Sequence, residues 1–280
     1  MSTFNTTYKE YSFAQHGEVY TILEEVFTSF GIAYYLVGAN ARDVQLYKAG
    51  IKPTRGTADI DFAIMVPDFE VYDALFDALL NHGFRKVSEN YRMIYDKTNT
   101  VIDFMPYGEI EQDYTVTFIE RNLTLSVLGF REVGEKAEIF TPEGESYSLP
   151  VSPIEGIMIL KLVAWNDKPD SRIKDLEDIS FLLKNGWEIY ENEAYENHLD
   201  LFDENFEQTK AAAQIIGRKM KPILELNTKL KETIITILEN AIKEKIKSEN
   251  LEIVFARNLD KTIEETKSIL TLLLKGINDK

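Results

Sequence analysis

The chain contains no cysteine. That excludes disulfides, thiolate zinc sites and a cysteine nucleophile, and it fits a cytoplasmic setting. Histidine is scarce. His16, His82 and His198 are far apart in sequence, so no histidine metal cluster is expected. No apolar run reaches the ~18 residues that a membrane helix needs. The opening MSTFNTTYKEYSF lacks the basic-then-apolar pattern of a secretory signal. Neither a Walker A sequence nor G-x-G-x-x-G occurs, so P-loop and Rossmann chemistry find no support. Positive charge is also short: 31 Lys and Arg stand against 47 Asp and Glu, a net charge of −16. Such a field repels polyanions, so nucleic-acid binding would need a local basic patch. The strongest basic cluster of the helical part is GRKMK, with Arg218, Lys219 and Lys221; it is a candidate contact for an RNA acceptor and reads more readily as a solvated helix face.

What is present is enough for a real core. Hydrophobic residues make up 44% of 280, which suits one large domain or two modest ones. Up to about residue 150 the pattern is mixed. EVYTILEEVFTSF reads as a helix stopping at Gly31, IAYYLVG as a strand ending at Gly38, and ANARDVQLYKAG as a second helix. DFEVYDALFDALLNHG reads as a third helix, and YRMIYD and VIDFMPYG as two strands separated by KTNT. Residues 114 to 130 and 136 to 151 read as further strands and turns. At Ser152 the character changes. SPIE reads as a helix start, with Ser152 as N-cap, Pro153 at the first position and Glu155 completing a capping box. From there the pattern is helical almost to the end, with Leu230, Ile234, Ile237, Leu238 and Ile242 forming one apolar stripe. The domains expected are 1–150, mixed α and β, and 151–280, helical.

One stretch, RGTADIDFAIMV, conflicts with itself. Ile60, Phe62, Ile64 and Val66 want to be a buried strand, yet Asp59 and Asp61 sit at its start. In a strand, residues two apart share a face at a spacing of roughly 6.5 Å. Two carboxylates that close repel, and burial raises the cost, so a cation should offset them. Mg²⁺ suits such hard oxygen ligands; a solvated turn before an ordinary strand is the plain alternative. Asp103 lies inside the second apolar run, TVIDFMPYG. If the two strands are neighbours, the three carboxylates converge into a two-metal site of the phosphoryl-transfer kind; taken alone, Asp103 reads more readily as a strand-end residue or the bound partner of an arginine. Gly38 ends a strand just before a helix, where backbone N–H groups and the helix dipole favour a phosphate; a simple strand-to-helix turn would look the same.

These blocks, taken in order, resemble the nucleotidyltransferase fold of the DNA polymerase β type. VGANARD, RGTADIDFAI, IDFMPYGEIE and ILKLVAWNDKPDSRIKDLEDISFLL more narrowly resemble the AbiEii/AbiGii toxin-like nucleotidyltransferases, from about Gly38 to Leu183. The resemblance implies an α+β fold: a mixed sheet with flanking helices, followed by an α-helical C-terminal domain. It also implies transfer of a nucleoside monophosphate from an NTP to an acceptor, with release of pyrophosphate. Asp59 and Asp61 would hold two Mg²⁺ ions, with Asp103 on the one nearer the acceptor. Gly38 and Ala39 would seat the phosphates, Lys161 would meet the triphosphate, and Asp175 would act as the base. Relatives carry glycine or serine where Ala39 stands, so the contact here is expected from backbone alone. They also tend to carry arginine where Lys168 stands, which keeps the charge and loses the fork.

Each assignment has a rival. Lys161 also fits a surface lysine on an amphipathic helix. Asp175 and Asp178 share a helix face, and Asp178 could instead pair with Lys174 or Arg172. Arg42 and Arg55 are candidate triphosphate ligands, and Arg42 could instead pair with Asp43. The resemblance further implies a toxin with a cognate antitoxin and an acceptor such as tRNA, a protein or a small molecule. The other readings are a catalytically weak nucleotide-binding or interaction module and an antibiotic nucleotidyltransferase.

Overall fold

The computed structural model describes residues 11–53, 56–119, 122–243 and 251–279. It divides into two compact units, the first ending at Pro153 and the second beginning at Ile154.

The first unit is built on a mixed sheet. Helix α1 (Gly17–Phe30) buries Val19, Leu23, Val26 and Phe27 along one stripe, as its spacing predicts. Strand β1 (Ala33–Val37) leads directly into α2 (Gly38–Lys48), and β2 (Asp59–Met65) into α3 (Phe69–Leu80). The Asp68 side chain caps α3 by accepting the Val71 N–H at 2.9 Å. Then come β3 (Phe84–Lys86), β4 (Arg92–Tyr95) and β5 (Thr100–Tyr107). They are followed by the hairpin β6 (Thr115–Phe118) and β7 (Leu123–Ser126), the short α4 (Phe130–Gly134), β8 (Glu138–Phe140) and β9 (Leu149–Val151). Among the described residues the sheet has seven strands in the order β3-β4-β5-β2-β1-β9-β8. β2 runs parallel to β5 and antiparallel to β1.

One sheet face is an aromatic core. Phe62 packs against Tyr20, Phe27 and Tyr34, and Phe104 against Phe27 and Phe76. The apolar half of the alternation in β2 and β5 therefore faces α1 and α3. The opposite half, with the acidic residues, is left for the site.

The second unit is helical: α5 (Ile154–Asp167), α6 (Ile173–Lys184), α7 (Gly186–Asn197), α8 (Gln208–Leu224), α9 (Thr228–Lys243), α10 (Leu251–Leu259) and α11 (Ile263–Asn278). α8 and α11 cross at Gly217 and Gly276. A Cβ on Gly217 would collide with the Leu273 carbonyl oxygen and lie 2.9 Å from the Gly276 Cα, so the two backbones touch. No described helix is long and apolar enough to cross a membrane.

One local expectation is revised. The capping box at Ser152 does not form. The Ser152 N–H continues the sheet by donating to the Leu36 carbonyl at 3.0 Å, its hydroxyl turns to the Pro153 carbonyl, and Glu155 accepts the Tyr190 hydroxyl at 2.6 Å. The first residue of α5 is Ile154. A capping box that went unpredicted is instead present at Thr262 and Glu265. The strand β3 and the helix α4, three and five residues long, are too short to leave a periodic pattern in the sequence.

Candidate active site

Four residues form one row across the first unit's sheet. Val37 pairs with Asp61, Asp61 with Asp103, and Asp103 with Arg92, across β1, β2, β5 and β4. Residues in register on neighbouring strands share a face at a spacing of about 4.8 Å. Asp61 and Asp103 are therefore side by side, and Asp59, two residues back on β2, joins the same face. Gly38 follows Val37 and packs against Asp61. Its φ is +67°, and a Cβ there would collide with Asp61 Oδ2 and lie 2.9 Å from its Cγ. Only glycine meets both conditions without strain. Gly38 and Ala39 open α2, which points its first N–H groups, and the positive end of its dipole, at this corner.

Asn40 ties the corner together. It is fully buried, and its amide donates to the Asp59 carbonyl at 2.6 Å, which fixes the start of β2 against α2. Its Oδ1 is buried without a hydrogen-bond partner among the described residues. Asp59 and Asp61 are both half-buried.

Asp103 is only 6% exposed, and Arg92 holds it through both oxygens: Nε to Oδ1 at 2.6 Å and Nη2 to Oδ2 at 2.8 Å. Burial pushes the Asp103 carboxyl above its ordinary range, and Arg92 only partly reverses this. The Asp103 carboxylate in turn raises the Arg92 pKa, and Asp59 adds to that effect at longer range. Arg92 also lines a cavity of about 390 Å³ with Phe69, Tyr72, Phe76, Lys86 and Phe118.

The remaining sequence candidates separate. Arg42 is 2% exposed and donates Nε and Nη2 to Asp43 Oδ1 at 3.0 and 2.7 Å, the internal pair that was its alternative reading. Arg55 lies outside the described residues. In the second unit, Lys161 is buried between Asp175 at 2.7 Å and Asp178 at 2.9 Å, joining α5 to α6. Burial opposes its charge, but the two carboxylates outweigh that and raise its pKa. Arg172 approaches Asp175 at 3.6 Å. GRKMK is occupied by acidic neighbours: Arg218 by Asp200 and Asp279, Lys219 by Glu193, and Lys221 by Glu225.

The sequence reading missed Arg92 and Asn40. Asn40 looked like one more polar residue in ANARD, and Arg92 like the start of an unremarkable strand.

A mixed sheet that carries acidic residues on β2 and β5, with a glycine turn after β1 leading into a helix, defines a nucleotidyltransferase of the polymerase β type. The family described as nucleotidyl transferase AbiEii toxin of a type IV toxin–antitoxin system matches residues 22–269, and the chain belongs to that family. No curated protein matches it. Among solved structures, a nucleotidyltransferase-like antigenic protein from Paracoccidioides brasiliensis is 18% identical, over 80% of this chain and 94% of that one, with a TM-score of 0.41. The solution structure of the antibiotic-resistance factor ANT(2'')-Ia is 12% identical over 82% and 97%, with a TM-score of 0.37. The apo form of a tRNA-processing enzyme is 14% identical over 92% and 78%, with a TM-score of 0.31.

Enzymes of this class use an NTP and a divalent metal. The donor set at Asp59 and Asp61 fits such an ion: two half-buried carboxylates on one face, with the Gly38 turn packed against Asp61. Asp103 is turned to Arg92 instead, and among the described residues no group of three or more carboxylate, histidine or cysteine side chains is arranged to hold a metal.

Proposed function

We propose that this nucleotidyltransferase moves a nucleoside monophosphate from an NTP to a hydroxyl of a cellular macromolecule, with tRNA the first candidate, and that the modification makes it a toxin restrained by a cognate antitoxin. The observation that carries this reading is the packing of Gly38 against Asp61. It sets the N–H groups that open α2 beside a carboxylate pair. The toxin role rests on membership of the family.

In the reaction, the acceptor hydroxyl oxygen bonds to the α-phosphorus as the bond to the bridging oxygen breaks, pyrophosphate departs with that electron pair, and the hydroxyl proton passes to water. The N–H groups at the start of α2, from Gly38 and Ala39, bind the phosphates. Asp59 and Asp61 would hold the divalent cation, which would supply neutralisation of the phosphate charge. Asn40 keeps Asp59 fixed through the backbone of β2. The protein's work is thus positioning and charge placement.

The net charge of −16 supports a second reading, an acceptor that is a protein or small molecule, because an acidic surface disfavours RNA. One experiment separates the two. Purified protein is incubated with each α-labelled NTP, Mg²⁺, and either total RNA, RNA-depleted extract or aminoglycosides. Label on an RNA band, in particular one of tRNA size, supports the first reading. Label only on protein or drug transfers support to the second, and no labelled acceptor in any arm contradicts both.

A further inference from the structure

The row Asp61–Asp103–Arg92 bears on how many cations the site takes. Three carboxylates, Asp59, Asp61 and Asp103, share one sheet face, and one guanidinium stands at the end of the same row. Arg92 covers both oxygens of Asp103 at 2.6 and 2.8 Å, in the forked geometry that suits guanidinium and carboxylate. A second cation on those oxygens would lie within a few ångströms of a fixed positive charge, in a place where water screens poorly. The pair is also held from below: β4 and β5 are paired from Arg92↔Asp103 to Tyr95↔Thr100, so backbone register alone keeps Arg92 opposite Asp103.

We infer that Arg92 takes the place of one metal ion, so the site binds a single divalent cation, on Asp59 and Asp61, with the guanidinium supplying the second positive charge beside Asp103. This rests on the proposed nucleotide chemistry and departs from the two ions that the resemblance implies. Arg92 is then a positioning residue with an electrostatic role. Because its charge is covalently attached, it needs no metal to be present.

The test counts metal. The full-length protein is dialysed to equilibrium against Mn²⁺ with each of the four α,β-methylene NTPs, and bound Mn²⁺ and bound nucleotide are both measured. The expected result is one Mn²⁺ per bound nucleotide, with the resolved electron paramagnetic resonance spectrum of an isolated ion. Asp103→Asn keeps the ratio at one, since Asp103 is no ligand. Arg92→Gln frees Asp103 and raises the ratio to two, with the spectral coupling of ions about 3.5–4 Å apart. Arg92→Lys keeps the charge and the ratio of one. Circular dichroism accompanies each variant, and the wild-type and Asp103→Asn counts stand even if Arg92→Gln fails to fold. Two ions in the wild-type protein, loss of the ion in Asp103→Asn, or a ratio of one in folded Arg92→Gln overturns the inference while leaving nucleotide transfer intact. Nucleotide binding absent under all conditions overturns both.

Discussion

Gly38 and Asp61 are in contact where β1 passes into α2, and the contact has no room for a β-carbon. Gly38→Ala must therefore move the Asp61 carboxylate or the start of α2. The left-handed φ adds about 1–2 kcal/mol of strain. A displacement of roughly 1 Å at such a site costs about a hundredfold in rate. The expected outcome is a loss of kcat/KM of that order, with a modest fall in Tm. Pyrophosphate release and thermal melts measure the two, and an unchanged rate would remove Gly38 from the site.

Arg42 separates a structural arginine from a binding one. Its pair with Asp43 is buried, and removing the cation leaves a carboxylate without its guanidinium. Arg42→Met is expected to destabilise the protein by about 3 kcal/mol, while the KM for NTP in the folded fraction stays within about twofold, as expected when no binding contact is lost. Chemical denaturation and steady-state kinetics check this. A large KM change at unaltered stability would return Arg42 to the nucleotide.

Lys161 lies between two buried carboxylates, so Lys161→Met removes the cation they share and leaves Asp175 only the more distant Arg172 at 3.6 Å. A loss of about 3–5 kcal/mol is expected. The pH dependence has a definite sign. The folded pKa of Lys161 is raised above the ordinary value of 10.5. Its contribution is thus fully present below 10.5 and is lost as pH rises through the higher folded value. The stability gap between wild type and variant should stay flat from about pH 7 to 10 and close only above that. Urea titrations across this range would show it, and a gap that closes between pH 7 and 9 would contradict the raised pKa.

Gly217 and Gly276 let α8 and α11 touch along their backbones. Alanine normally favours a helix by about 1 kcal/mol over glycine. Here Gly217→Ala should instead cost about 1–3 kcal/mol, because the helices must separate. A Tm above wild type would show that the crossing yields easily.

Much of the first unit was legible because local signals agreed with one another. The apolar positions of α1 and the alternation in β2 each point one way. The adjacency of β2 and β5 was only a condition in the sequence, since parallel pairing leaves no local trace. The Arg92–Asp103 pair was within reach. The KTNT turn sets Tyr95 opposite Thr100, and counting back three residues on one strand and forward three on the other pairs Arg92 with Asp103. The missed signal was the row of residues, because acidic positions were weighed without their cross-strand neighbours. Ser152 misled because its sequence fits a cap, while the parallel pairing with β1 had a stronger claim on its backbone.

The central claim is that Asp59 and Asp61, seated beside the Gly38 turn, carry the nucleotide chemistry. Its most direct test is metal-dependent pyrophosphate release by the doubly substituted Asp59→Asn, Asp61→Asn protein, with circular dichroism to establish folding. The account predicts a fall of about a thousandfold or more, to background. A folded double variant that still releases pyrophosphate at the wild-type rate would contradict it.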